Sequence, residues 1–205
     1  DGDAVVVGLG GEDVVPAALA VEDGARMVVA GPAGSGRSTA LAVLGQGLRR
    51  AGRPVAVVAP RASPLVALAP DVPAVTDVRD VDGLRQLCRP LGPGRPVVLV
   101  DDVGAVEGSA AEDVLLEHLA DGGGVVVAGD PTELGSRFRG LAAEARRGRT
   151  GLLLSPTGYA DGDVLGVAVR RAGQVRPGRG YLVRRGAAVP VQVALPEAPA
   201  TARAC

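Results

Sequence analysis

Two apolar patterns alternate along the chain. Short continuous apolar runs are separated by stretches in which apolar residues return every three or four positions, the signature of buried parallel strands joined by amphipathic helices. "RMVVAG" (26–31) is the first run of the series. After a glycine-rich stretch, Leu41, Leu44 and Leu48 recur at helical spacing up to Gly52, and "PVAVVAP" (54–60) reads as the next buried strand, joined by a right-handed crossover. Apolar residues at 81, 84, 87 and 88 predict a helix with Asp80 as its N-cap. "PVVLVDD" (96–102) predicts a strand ending in two carboxylates, and a helix over about 110–120 leads to the strand "GVVVAGD" (124–130). Leu134, Phe138, Leu141 and Ala145 stripe one further helix before "TGLLLS" (150–155). The expectation is therefore an α/β fold with a mainly parallel five-stranded sheet flanked by helices. Runs 4–21 and 180–195 read as short strands around Gly turns, small antiparallel additions at the sheet edge. We expect one domain over 1–196, then a loose Ala/Pro-rich tail over 197–205.

The chemistry sits on these elements. Gly31-Pro-Ala-Gly34-Ser35-Gly36-Arg37-Ser38 matches the phosphate-loop pattern G-x-x-x-x-G-K-[ST] except at lysine, and it lies between an expected strand and helix. Main-chain N–H groups must curl around phosphate oxygens, so Gly31, Gly34 and Gly36 keep the cradle free of side chains, and the helix terminus favours the anion. Ser35, Arg37 and Thr39 complete the expected ATP-binding set, with Ser38 placing a hydroxyl on Mg²⁺. Asp101, at the end of a buried strand, is the expected second cation ligand, and Asp102 the residue that orients an attacking water. Arg37 is the departure. A guanidinium is wider and planar where an ammonium is compact, so binding through the backbone survives while stabilisation of the transferring phosphoryl weakens. After the fourth strand, Asp130 stands where a motor would carry an Asn or Gln; the simpler reading is a helix cap ahead of Pro131.

Composition narrows the rest. The 205 residues include 22 Lys+Arg and 23 Asp+Glu for a net charge of −1, and no long basic run marks a dedicated nucleic-acid binder. Every basic residue is Arg, and Lys, Ile and Asn are absent, a bias that points to a GC-rich genome. One Phe, two Tyr and no Trp leave the core to Val, Leu and Ala. No apolar run nears the roughly 18 residues that span a bilayer. His118, the one histidine, reads as a partly buried helix residue, and Cys88 and Cys205 have no metal-ligand spacing.

The ordered series "VVAGPAGSGRST", "VVLVDD", "GLLLSPTGYADGDVLG" and "RPGRGYLVRRG…VQVALP" resembles FtsK/SpoIIIE-type ATPase domains, and among them the distal C-terminal modules of EccC/EssC type VII secretion proteins. The resemblance runs from about 5 to 196. It implies a RecA-like P-loop core and several modules in tandem on the cytoplasmic side of a membrane-anchored chain. It also implies homo-oligomerisation through the nucleotide faces, and contact with secreted helical-hairpin substrates. Distal modules of that family are often degenerate in the loop, as Arg37 is. Three readings follow in order: a nucleotide-binding module with weak or no hydrolysis, an FtsK-like DNA translocase, and a nucleotide-free protein-interaction scaffold.

Overall fold

The computed structural model describes residues 3–59, 63–90, 94–170 and 174–197. In chain order the elements are β1 (Asp3–Gly10), β2 (Val15–Val21), β3 (Arg26–Ala30), α1 (Arg37–Arg50), β4 (Val55–Val58), α2 (Pro64–Leu68), β5 (Ala74–Val75) and α3 (Val81–Leu87). There follow β6 (Val97–Val100), α4 (Ala110–Ala120), β7 (Gly124–Gly129), α5 (Pro131–Ser136), α6 (Gly140–Arg146), β8 (Thr150–Leu154), β9 (Arg179–Arg184) and β10 (Ala187–Val193), with 3₁₀ turns at Val103–Ala105 and Tyr159–Val164.

The strands form one sheet in the order β2-β1-β10-β9-β8-β3-β7-β6-β4-β5. The five expected core strands are present as β8, β3, β7, β6 and β4, all parallel. The five-stranded expectation falls short, because among the described residues the sheet has ten strands. A two-residue parallel strand, β5, extends one edge, and four antiparallel strands continue the other as two hairpins. These are no small additions. Val5, Val7, Leu19, Val21, Leu182, Val191 and Val193 pack into the same cluster as Leu41, Leu44 and Leu48 of α1, so the helix covers both halves.

Alternation across the strands builds two cores. Met27, Val29, Val97, Leu99, Val126 and Ala128 face α1 and α2; Val28, Ala30, Val98, Val100, Val125 and Val127 face α3, α4 and α6. Burial on both faces is why these strands are continuous apolar runs in the sequence. The single helix expected through Leu134, Phe138, Leu141 and Ala145 is two. Arg146 Nη1 donates to the carbonyls of Leu134 (2.9 Å) and Arg137 (2.9 Å), closing the end of α5, and Glu112 Oε1 accepts the Leu141 N–H (2.8 Å) at the start of α6. Phe138 falls in the break and is 88% exposed, outside the core. His118 is more deeply buried than expected, at 2% exposure. Glu197, the first residue of the expected tail, is held on α1 by two backbone hydrogen bonds to Gln46 (2.9 and 3.0 Å) and an ion pair with Arg50 (2.5 Å); 198–205 lie outside the described residues.

Candidate nucleotide site

The site forms where β3 hands over to α1. β3 ends at Ala30, the chain turns through 31–36, and α1 begins at Arg37 with Gly36 as its N-cap, at φ 93° and with no side-chain cap. The first-turn amides of a 14-residue helix are left without side-chain acceptors, and its first turn holds no acidic residue. Two glycines are demanded by geometry. Gly36 has a backbone that L side chains rarely adopt, and a Cβ on Gly31 would lie 2.4 Å from Ser35 Oγ and 2.8 Å from the Leu154 carbonyl. Ser35 is fully buried and its hydroxyl has no hydrogen-bond partner among the described residues, whereas Gly34 is exposed at the loop's crown. Thr39 is half-buried in the first turn of α1.

Arg37 turns back on its own loop. Its Nη1 donates to the Gly31 carbonyl at 2.9 Å, closing a ring across the phosphate-loop backbone. Ser38 donates to Asp101 Oδ2 at 2.7 Å, so a hydroxyl and a carboxylate, the hard oxygen donors that suit Mg²⁺, meet across the sheet. Asp101 is buried, at 6% exposure. Asp102 follows it at φ 64°, half-buried ahead of the 3₁₀ turn. Asp130 is a helix cap: its Oδ1 accepts the Thr132 N–H at 2.9 Å, with Pro131 in the first position of α5.

Two parts of the site escaped the sequence reading. The Arg176–Arg179 loop crosses the phosphate loop, with the Gly178 N–H donating to the Ser35 carbonyl (2.8 Å). Ser155, at the end of β8 and at φ 45°, holds that loop by donating to the Arg176 carbonyl (2.9 Å) and accepting the Arg176 N–H (3.0 Å). The second part is Ser63, whose hydroxyl donates to Asp101 Oδ2. Its signal was a Ser-Pro pair, an N-cap followed by a first-position proline. A concavity of about 680 Å³ lies at the opposite end of the strands, where Arg26 and Arg147 both reach Glu144 (3.8 and 2.7 Å).

A glycine-rich loop between a central parallel strand and its helix, facing an acidic residue at a neighbouring strand end, defines a RecA-like P-loop ATPase fold. The AAA domain family model matches residues 12–150, and the chain belongs to that family, whose members generally bind ATP with Mg²⁺. Among curated proteins no sequence matches it. Solved structures share its fold. The cytoplasmic domain of the Thermomonospora curvata type VII secretion ATPase EccC is 19% identical at TM-score 0.68, covering 96% of this chain and 27% of that one. ATPases 2 and 3 of the same organism's EccC, in complex with a signal sequence peptide, are 20% identical at TM-score 0.69, covering 96% and 41%. ATPases 2 and 3 of EssC from Geobacillus thermodenitrificans are 18% identical at TM-score 0.70, covering 96% and 42%. The chain thus spans less than half the length of each of these.

Proposed function

We propose that this chain is an ATP- and Mg²⁺-binding module of a type VII secretion motor that hydrolyses nucleotide weakly or not at all, and that it contributes to substrate recognition or motor regulation. The observation that carries the reading is Arg37 Nη1 on the Gly31 carbonyl, beside a loop whose main-chain cradle is intact. The loop around Gly31, Gly34, Ser35, Gly36 and Thr39 would hold the phosphates largely through N–H groups, which do not depend on the side chain at 37. Ser38 and Asp101 would hold Mg²⁺, whose role when bound is to neutralise phosphate charge, and Asp102 would orient a water. A guanidinium committed to Gly31 stabilises the loop instead of the transferring phosphoryl group, so binding and turnover separate.

The setting follows from the relatives. Tandem modules in EccC and EssC support neighbouring ATPase modules as partners and assembly into a homo-oligomer. The EccC complex with a signal sequence peptide makes a secreted protein the substrate class we propose, with a helical hairpin as its form, and the cytoplasmic EccC domain supports a cytoplasmic position on a membrane-anchored protein.

The test is ATP titration and turnover on the chain and on Arg37→Lys. ATP with Mg²⁺ at 100 times its Kd should stabilise the wild-type chain by about 2.7 kcal/mol, seen as a raised Tm, while turnover stays at background. Arg37→Lys should bind comparably and raise turnover about tenfold or more. Brisk wild-type turnover, or a flat titration with ATP, would overturn the reading.

A further inference from the structure

Three separate segments converge on one carboxylate oxygen. Asp101 Oδ2, at the end of β6, accepts the hydroxyl of Ser38 from the first turn of α1 and the hydroxyl of Ser63 from the segment after β4. The phosphate-loop pattern accounts for Ser38. Nothing in it accounts for Ser63, which lies 38 residues before Asp101 in the chain.

Ser63 is also the N-cap of α2, where its Oγ accepts the Leu65 N–H at 3.0 Å and Pro64 takes the first helical position. A cap needs only the lone pairs of the hydroxyl. The one hydroxyl hydrogen is therefore free to choose a partner, and it goes to the buried Asp101 carboxylate, which carries the charge a divalent cation would meet. Ser38 and Ser63 differ in what they can do next. Ser38 is the hydroxyl that the cation would take for itself, whereas Ser63 has its one donor on Asp101 and a lone pair on the Leu65 N–H, and remains as the carboxylate's own support. Leu65, fully buried in the α1-side core, fixes the helix that presents Ser63.

We propose that Ser63 is a positioning residue for the divalent cation, holding the Asp101 carboxylate through its hydroxyl while its cap bond holds it to α2; the proposal rests on the nucleotide-binding reading above. A hydrogen-bond partner of a metal ligand commonly contributes tenfold or more to metal affinity. Ser63 therefore governs how much Mg²⁺ the site needs, and leaves the metal-free grip on ATP alone.

The experiment measures ATP binding by calorimetry across a Mg²⁺ titration and in EDTA, for wild type, Ser63→Ala, Ser63→Gly and Ser63→Thr. Glycine is tolerated at an N-cap with a loss of only a few tenths of a kcal/mol, so Ser63→Gly removes the donor with little harm to α2. Ser63→Ala and Ser63→Gly should need about tenfold more Mg²⁺ for half-maximal enhancement of ATP binding, with ATP affinity in EDTA unchanged. Ser63→Thr, which keeps both cap and donor, should restore the wild-type Mg²⁺ midpoint. An unchanged midpoint in the Ala and Gly variants overturns the proposal, as does an equal loss of ATP affinity with and without Mg²⁺. Wild-type ATP binding indifferent to Mg²⁺ overturns it together with the Mg²⁺ part of the reading above, while leaving the ATP-binding part in place; no ATP binding under either condition removes both.

Discussion

His118 shows how far a single residue can depart from what its neighbours in sequence suggest. Its Nε2 donates to the Pro96 carbonyl at 3.0 Å, which leaves Nδ1 unprotonated in the neutral ring, buried and without a hydrogen-bond partner among the described residues. Gly123 lies so close beneath the ring that a Cβ there would be 2.1 Å from it. Burial holds the imidazole below its ordinary value of 6.5, against the opposing pull of its backbone hydrogen bonds, and nearby Arg95 adds to the lowering. A depressed folded value means that the unfolded chain takes up the proton first as pH falls. The contribution of His118 is therefore whole above pH 6.5 and is lost below it, until the folded value is reached, at no more than about 1.4 kcal/mol per pH unit. Urea denaturation between pH 7.5 and about 5.5 should show this slope in the wild type, and His118→Leu should flatten it. The helix position was readable from Val114 and Leu115. The depth was not, because it depends on Gly123 and Pro96 arriving from the next turn and a distant strand.

At the scale of elements, the sequence is most transparent where both faces of a strand are covered. β4, β6 and β7 are buried at every position, and an unbroken Val-rich run of that length fits little besides a strand covered on both sides. Caps were equally open to reading: Asp80 accepts the Gly83 N–H (2.9 Å) and Asp130 the Thr132 N–H (2.9 Å). What stayed hidden were contacts between elements. The apolar spacing of 134, 138, 141 and 145 is helical, but Arg146 and Glu112 satisfy the ends of two short helices and leave Phe138 outside. The candidate site divides along the same line: loop and strand-end carboxylate are local patterns, while Ser63 and the Arg176–Arg179 loop reach the site only through the fold. The turn from β3 into α1 offers an element-scale test. In Gly36→Ala the new Cβ would sit 3.0 Å from the Gly178 nitrogen on a backbone at φ 93°. The variant should lose about 1–2 kcal/mol in urea denaturation and lose most of its ATP-dependent rise in Tm.

At the scale of the whole molecule, α1 spans both halves of the ten-stranded sheet, which should therefore unfold as one unit. Leu19, on the outermost antiparallel strand, is fully buried in the same cluster as Leu41 and Leu99. Leu19→Ala should therefore cost about 2–5 kcal/mol and move a single denaturation midpoint, with fluorescence and circular dichroism changing together; a separate early transition would show that the flank melts alone. The antiparallel strands were foreseen as a trim on the edge, since their alternating and glycine-broken runs carry a weaker signal than the parallel ones. Their position matters for the nucleotide site. Gly178 gives its N–H to the Ser35 carbonyl and receives the Val193 N–H on its own carbonyl, 2.8 Å on either side. The last hairpin and the phosphate cradle are thus a single residue apart, joined through the backbone of Gly178 and braced by Gln192, whose Nε2 donates to the carbonyls of Pro177 (3.2 Å) and Val193 (3.3 Å). Residue 178 sits at φ 72° with a Cβ there 2.8 Å from Gln192 Nε2, so the junction between hairpin and cradle passes through a position that only glycine fills without strain.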